Sequence, residues 1–224
     1  MKVLIVDDHP IVRSGLRRLL ATESNFEITE AANGHEAVST FREARPDLVI
    51  LDLNLPGVSG LEVLGRLRLD DPKARVLVIS MYDNALYVSR VLAAGALGYV
   101  SKNAPPDQIL EAVRRVAAGR SYIEHEMAQE LALGHVRGAS DPLNQLSPRD
   151  LEILRLLADG SNLTEIAEAI GVSYKTVANH CTQLKAKLAT PRMADLIRVA
   201  ISCGLGRGEL QLAAGTKPQI EGPA

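Results

Sequence analysis

Four short apolar runs, each closing in a polar or charged residue, constrain this chain more than any other feature. Residues 48–51 read Leu-Val-Ile-Leu and stop at Asp52, and residues 2–6 read Lys-Val-Leu-Ile-Val and stop at Asp7-Asp8. Residues 76–79 stop at Ser80, and residues 98–100 lead through Ser101 to Lys102. Runs this short and continuous suit strands buried on both faces of a parallel sheet. Residues 26–31 read as a further strand, and segments with helical spacing lie between the runs. Five βα units follow, which predicts an α/β fold: a doubly wound five-stranded parallel sheet. Ligands of such sheets bind in the crevice outside the carboxyl ends of the strands.

The strand ends therefore define a chemistry. Asp7, Asp8 and Asp52 would meet in one crevice, where three anions repel each other unless a cation sits among them. Oxygen ligands with an open side suit Mg2+, which keeps several waters and uses few carboxylates. Ser80 adds a hydroxyl and Lys102 an ammonium. The set fits an acyl phosphate on Asp52, with Mg2+ and Lys102 neutralising its oxygens and Ser80 donating a hydrogen bond. His9, beside the acid pair, reads as a polar helix-start residue rather than a ligand. Tyr99 has two readings from its sequence alone: an amphipathic ring at a sheet edge, or a group that moves with Ser80.

Punctuation places the helices. Pro10 suits a first turn, and Ile11, Gly15, Leu16, Leu19 and Leu20 follow at helical spacing. A helix over 34–42 buries Ala37, Val38 and Phe41. After Pro56-Gly57, residues Leu61, Val63, Leu64, Leu67 and Leu69 continue as helix up to Asp70-Asp71-Pro72. Gly95 ends a helix over 85–94, and Gly119 one over 107–118. Beyond it, Ile123, Met127, Leu131 and Leu133 suggest one short amphipathic helix, and Gly134 to Pro142 reads as a flexible linker. The expected division is 1–120, a linker over 121–145, a second domain over 146–206 and a mobile tail over 207–224.

The second domain is small and all-α. Ser147 is a good N-cap and Pro148 a good first helical residue. Leu151, Ile153, Leu154 and Leu157 mark one helix, and Ile166, Ala167 and Ile170 a second. Gly171-Val172-Ser173 turns the chain into a third helix running to about Leu188. Two short helices joined by a glycine-containing turn are a helix-turn-helix signature. Val177, Cys181, Leu184 and Leu188 form the inner stripe of the third helix, which makes Cys181 a small buried hydrophobe. Its outer side carries Tyr174, Lys175, Thr176, Ala178, Asn179, Thr182, Gln183 and Lys185. Asn and Gln pair bidentately with adenine, and the lysines and Thr176 reach phosphates or guanine.

Both halves resemble one family. Asp7-Asp8, Asp52, Ser80, Tyr99 and Lys102 resemble the receiver domain of two-component response regulators. Leu146-Ser147-Pro148-Arg149, Glu165-Ile166-Ala167, Lys175-Thr176-Val177, Asn179-His180 and Lys187-Leu188 resemble the LuxR-type helix-turn-helix of the NarL/FixJ class. The resemblance implies that Asp52 accepts phosphate from a sensor histidine kinase. It implies Mg2+ on Asp7, Asp8, Asp52 and the Asn54 carbonyl, phosphate binding by Lys102, and Ser80 and Tyr99 as a switch pair. It implies double-stranded DNA contacts from Lys175, Thr176, Asn179, His180 and Gln183, and a homodimer when phosphorylated. Leu55 stands where many members have methionine. Ala178 stands where a lysine is common, and Ala189-Thr190-Pro191 replaces the usual exit of the third helix.

Charge and composition bound the rest. The net charge is -2, so DNA binding must rest on a local patch. Between residues 146 and 207, eight Lys and Arg stand against six Asp and Glu. One monomer then neutralises few phosphates, and a dimer on two half-sites is expected, with residues 193–202 (Leu196, Ile197, Val199, Ala200) as the pairing helix. Two cysteines give no disulfide framework, and no segment reads as a signal or membrane span, so a cytoplasmic protein is expected. The expected mechanism is gating: the unphosphorylated receiver covers the third helix or its dimer face, and phosphorylation repacks residues 85–100 and releases it. The rivals are a regulator that acts through protein partners with DNA binding lost and, as an enzyme rather than a regulator, an aspartate-nucleophile phosphatase.

Overall fold

A computed structural model of the protein describes residues 1–23, 26–81, 85–136, 143, 146–203 and 205. The expected tail at 207–224 and most of the expected linker lie outside the described residues. The chain begins with alternating strands and helices: β1 (Lys2–Val6), α1 (Pro10–Leu20), β2 (Glu27–Ala31), α2 (Gly34–Ala44), β3 (Leu48–Leu51), α3 (Gly60–Asp70), β4 (Val76–Ser80), α4 (Ala85–Ala93), β5 (Gly98–Ser101) and α5 (Pro106–Ala117). The sheet is parallel in the order β2-β1-β3-β4-β5-β6. It has six strands, not five. The sixth, β6 (Tyr122–Ile123), pairs Tyr122 with Gly98 and Tyr99 with Ile123, just past the expected boundary at 120. A two-residue strand is too short to carry a hydrophobic period, which is why no pattern announced it.

Both faces of the sheet are covered, and alternate strand residues sort between them. Val3, Ile5, Leu48, Ile50, Leu77, Ile79 and Val100 face α1 and α5. Leu4, Val6, Val49, Leu51, Val76, Val78 and Tyr99 face α2, α3 and α4. Ile11 departs from the expected stripe of α1 and is 87% exposed, while Leu16 and Leu20 are buried. Leu69 on α3 is likewise outside the core.

The caps follow local chemistry. Pro10 opens α1, Ser59 accepts from the Glu62 amide at the start of α3, and Gly95 and Gly119 leave α4 and α5 at φ +99° and +74°. Helix α6 (His125–Val136) then packs on α4, with Met127 buried and Leu131 half-buried.

The C-terminal helices are α7 (Pro148–Ala158), α8 (Leu163–Ala169), α9 (Tyr174–Lys187) and α10 (Met193–Ser202). Ser147 and Asp150 form a capping box at α7, and Asn162 and Glu165 form another at α8. Val177, Cys181 and Leu184 are the buried stripe of α9, and burial pushes the Cys181 thiol up. Leu196 and Ala200, expected on a subunit surface, are instead buried against α7 and leave Arg198 and Ile201 outward on α10. The apolar stripe on a helix this short serves its own domain first, because a four-helix unit has little else with which to fill its core.

Candidate functional site

The strand register assembles the acidic pocket. Val6 and Leu51 are paired, so Asp7 and Asp52 leave neighbouring strands side by side, and the Asp52 amide donates to the Val6 carbonyl at 2.9 Å. Ser80 pairs with Ser101, and the Lys102 amide donates to the Ser80 carbonyl at 2.9 Å. The Lys102 ammonium reaches across the strand ends to Asp7 Oδ2 at 2.6 Å and Asp52 Oδ2 at 2.7 Å. Asp7 and Asp52 are each 2% exposed, and Asp8 is half-buried at the rim. A close approach underneath completes the pocket. A Cβ on Gly60 would fall 2.1 Å from the Asp52 carbonyl oxygen, and the Gly60 amide donates to the Leu53 carbonyl at 2.9 Å. Glycine alone lets the start of α3 pack against the backbone that presents Asp52.

The electrostatics favour an added cation. Burial raises the Asp52 carboxyl above its ordinary range, Lys102 pulls it back and Asp7 pushes it up again. Burial lowers the Lys102 ammonium, but Asp52 and Asp7 together outweigh that and raise it. One ammonium does not compensate Asp7, Asp8 and Asp52. Asp52 Oδ1 and Asp8 Oδ1 are buried without a hydrogen-bond partner. Buried polar atoms of this kind call for a ligand. Asp7, Asp8, His9 and Asp52 bring one ligand atom each within 4.8 Å of one another, a donor set rich in oxygen that fits Mg2+.

The other sequence-predicted residues divide. Ser80 is buried at the pocket wall, and Tyr99 is wholly buried on the α4 face rather than at an edge. Asn54 contributes its backbone N–H, which favours the charged Asp52. On α9, Lys175, Thr176, Asn179 and Gln183 are exposed along one outer face. His180 is different. Its Nδ1 lies 3.0 Å from Asp150 Oδ1, and Lys187 Nζ lies 2.5 Å from Asp150 Oδ2. Asp150 is 1% exposed; burial raises its carboxyl, but Lys187, His180 and Ser147 outweigh this and bring it down to about 2. Half of His180 is thus committed to holding α9 on α7, and only its other ring nitrogen is left for a ligand.

The two halves touch. Their apolar residues form one continuous cluster through Tyr87, Val91, Leu143, Leu146 and Leu151. The Tyr87 hydroxyl donates to the Leu151 carbonyl at 3.2 Å, and the Arg90 guanidinium donates to the carbonyls of Leu143 and Leu146. Gly57, in the loop after Asp52, faces Gly171, the turn before α9. The acidic pocket and the helix-turn-helix are therefore neighbours through one loop. Sequence reasoning missed Gly60, Asp150 and the Tyr87, Arg90 and Gly171 contacts, and it set His9 aside. Only Asp150 carried a signal, as the third residue after an N-cap serine.

Fold and pocket define the class: a phosphoacceptor domain on a doubly wound sheet, joined to a helix-turn-helix. The comparisons agree over both halves. Residues 3–114 match the response regulator receiver domain, and residues 144–200 match the bacterial regulatory proteins of the luxR family. The transcriptional activator protein ExaE of Pseudomonas putida is 43% identical over 211 residues, covering 92% of this chain and 99% of that protein. The oxygen regulatory protein NreC of Staphylococcus epidermidis is 37% identical, covering 90% of this chain and 97% of that protein. Among solved structures, RcsB of Salmonella enterica serovar Typhimurium, bound to promoter P1flhDC in the presence of phosphomimetic BeF3-, superposes with a TM-score of 0.63. It is 26% identical and covers 90% of this chain and 98% of that one. This chain belongs to the NarL/FixJ family of two-component response regulators, phosphorylation-dependent DNA-binding regulators of transcription whose partners are a sensor histidine kinase and double-stranded DNA. Among the described residues no helix is long and apolar enough to cross a membrane.

Proposed function

We propose that Asp52 is the phosphoacceptor and that its phosphorylation opens the contact between the two domains. Asp7, Asp8 and Asp52 would hold Mg2+, which neutralises phosphoryl oxygens when bound. The Asn54 carbonyl would be a further ligand. Asp52 attacks the phosphorus of the kinase's phosphohistidine as the carboxylate, the P–N bond breaks with its electron pair left on the histidine nitrogen, Lys102 leaves its bridge to follow the new negative charge, and Ser80 donates to a phosphoryl oxygen. Tyr99, two register pairs from Ser80 on the α4 side, carries that movement toward Tyr87 and Arg90. DNA is read by Lys175, Thr176, Asn179 and Gln183, with His180 contributing its outer nitrogen, and a dimer on two half-sites makes up for the small basic surplus. The working division is a receiver to residue 123, a connecting segment to 145, a helix-turn-helix domain over 146–206 and a tail. The protein acts in the cytoplasm, where its DNA and its kinase's phosphohistidine are found.

The observation that carries the gating is the position of Gly57 against Gly171. Gly171 lies just before α9, and helix-turn-helix proteins put the N-terminal end of that helix into the major groove. A duplex seated there would contend with the loop after Asp52 for the same space. The outer face of α9 is exposed, so the gate is at the turn before it, where the sequence suggested the third helix or its dimer face. The test is operator binding by wild type and Asp52→Asn with a small phosphodonor and Mg2+. Donor-dependent tightening in wild type only is expected. Equal affinity with and without donor would sink the gate, steady turnover of a phosphate ester would favour a phosphatase, and loss of DNA affinity in every state a protein-partner regulator.

A further inference from the structure

Asp7 is held through its amide, its carbonyl and both carboxylate oxygens. Oδ1 accepts from the His9 amide at 2.8 Å, and Oδ2 lies 2.6 Å from the Lys102 ammonium. The Asp7 amide donates to the Ala31 carbonyl of β2 at 3.2 Å. The fourth restraint comes from α1, where Arg13 Nη1 donates to the Asp7 carbonyl at 2.6 Å. That carbonyl belongs to the peptide joining Asp7 to Asp8. A peptide is planar, so fixing its oxygen fixes the direction in which the chain leaves Asp7 and the place from which Asp8 starts. The guanidinium is fixed in turn. Its Nε donates to Glu30 Oε2 at 3.2 Å, and Glu30 Oε1 accepts from Arg17 Nε at 2.7 Å. Glu30 is paired with Ile5 on the edge strand β2, so the strand and α1 hold the fork between them. Burial raises the Glu30 carboxyl, but Arg17 and Arg13 outweigh this and lower it, so the carboxylate stays charged against both guanidinia.

We propose that Arg13 is a positioning residue for the acidic pocket: through the peptide between Asp7 and Asp8 it sets where the second acid stands relative to the first. The proposal rests on the reading of Asp7, Asp8 and Asp52 as the phosphoacceptor pocket. Mg2+ demands near-ideal octahedral geometry, so a small displacement of Asp8 costs affinity. Arginine suits the task because its planar fork aims separate donors at the Asp7 carbonyl and at Glu30, which a single ammonium cannot serve together. The rival account is that two arginines merely staple α1 to β2. Arg17 separates the two accounts. Its side chain pairs with Glu30 as well, at 2.6 Å, yet it is 53% exposed and, among the described residues, bonds nothing in the pocket.

The test is Mg2+ binding to the full chain by titration calorimetry without a phosphodonor, beside urea unfolding in chelator. Arg13→Met removes both contacts of the fork, and Arg17→Met removes only a contact to Glu30. Both variants are expected to lose similar stability. Only Arg13→Met should lose Mg2+ affinity, by about tenfold, as when a group that orients a metal ligand is removed. With a small phosphodonor its half-saturating Mg2+ concentration should rise by the same factor, while the rate at saturating Mg2+ stays near that of wild type. Arg13→Lys keeps a donor for the carbonyl without the planar fork and should recover part of the affinity. Where Arg13→Met fails to fold, Arg13→Gln, too short to serve both acceptors, is read in the same way. Unchanged Mg2+ affinity in Arg13→Met, or an equal loss in Arg17→Met, would show that the fork only staples α1 to β2, and the proposal fails with the pocket intact. Wild type that binds no Mg2+ and takes up no phosphoryl group overturns the pocket reading itself.

Discussion

Gly57 and Gly171 face each other across the two domains, both in the left-handed region at φ +79° and +67°. A Cβ on Gly171 would lie 3.2 Å from the Gly57 amide nitrogen and 3.5 Å from its Cα. A side chain at Gly171 would press on the Gly57 backbone, whereas a Cβ on Gly57 would meet nothing within 4 Å, so the crowding falls on Gly171 alone. Gly171→Asn tests this with little folding penalty, since asparagine tolerates the left-handed region. Crowding a packed contact costs about 1–3 kcal/mol, enough to shift the closed-to-open ratio at least fivefold. Small-angle scattering should report a larger radius of gyration, and the unphosphorylated variant should bind operator more tightly than wild type. An unchanged radius would show that the contact holds nothing closed.

Gly60→Ala should damage the pocket from beneath. Its Cβ would fall 2.1 Å from the Asp52 carbonyl oxygen and 2.5 Å from Leu53 Cα, both backbone atoms. The start of α3 or the loop after β3 must move. A loss of about 1–3 kcal/mol is expected in urea unfolding, together with weaker divalent-ion binding. Gly65, whose Cβ would meet nothing within 4 Å, is the control, and its alanine variant should be neutral or slightly stabilising.

Asp150 should make the C-terminal domain acid-sensitive. Its carboxyl is lowered from 3.8 to about 2 in the folded state. A lowered carboxylate contributes stability that is present above the unfolded value and is lost as pH falls through the folded one. The contribution is about 2 kcal/mol at neutral pH and fades between pH 4 and pH 2. Urea unfolding of wild type and Asp150→Asn should therefore differ by about that amount at pH 7 and converge near pH 2. A gap that persists undiminished at low pH would mean that shape, not charge, holds Lys187 and His180 in place.

Lys175 and Asn179 should fail differently on DNA. Both are exposed on α9, but one is a charge and the other a bidentate donor and acceptor. Lys175→Ala should weaken operator and random DNA alike and reduce the salt slope by about 0.9 per half-site. Asn179→Ala should keep the salt slope and lose about 1–3 kcal/mol of discrimination at one base pair. Band shifts at two salt concentrations on specific and scrambled fragments separate the two effects.

The parts of the site that could be read in advance are those set by strand ends. Asp7, Asp8, Asp52, Ser80 and Lys102 each close an apolar run, and parallel pairing brings such ends to one edge whatever the loops do. The inner stripe of α9 was equally readable, because Val177, Cys181 and Leu184 repeat at helical spacing. The misreadings concern residues whose pattern admits two partners. Leu196 and Ala200 were apolar enough for a subunit surface and went to α7, Ile11 fitted a helical stripe and points to solvent, and β6 was too short to show a period. His180, placed with the DNA contacts, shares its ring with Asp150, thirty residues away in sequence.

The sequence alone determined a parallel α/β sheet with an acidic pocket at its carboxyl edge and a helix-turn-helix behind it, because hydrophobic period and chain punctuation act over a few residues. Tertiary structure decided that Gly57 meets Gly171, that Tyr87 donates to Leu151, and that His9 turns back over Asp8. Each joins groups that no local period relates. The first two depend on how the two domains settle against each other in space and the third on how the turn between β1 and α1 is held by the Asp7 carboxylate, and spacing along the chain encodes neither.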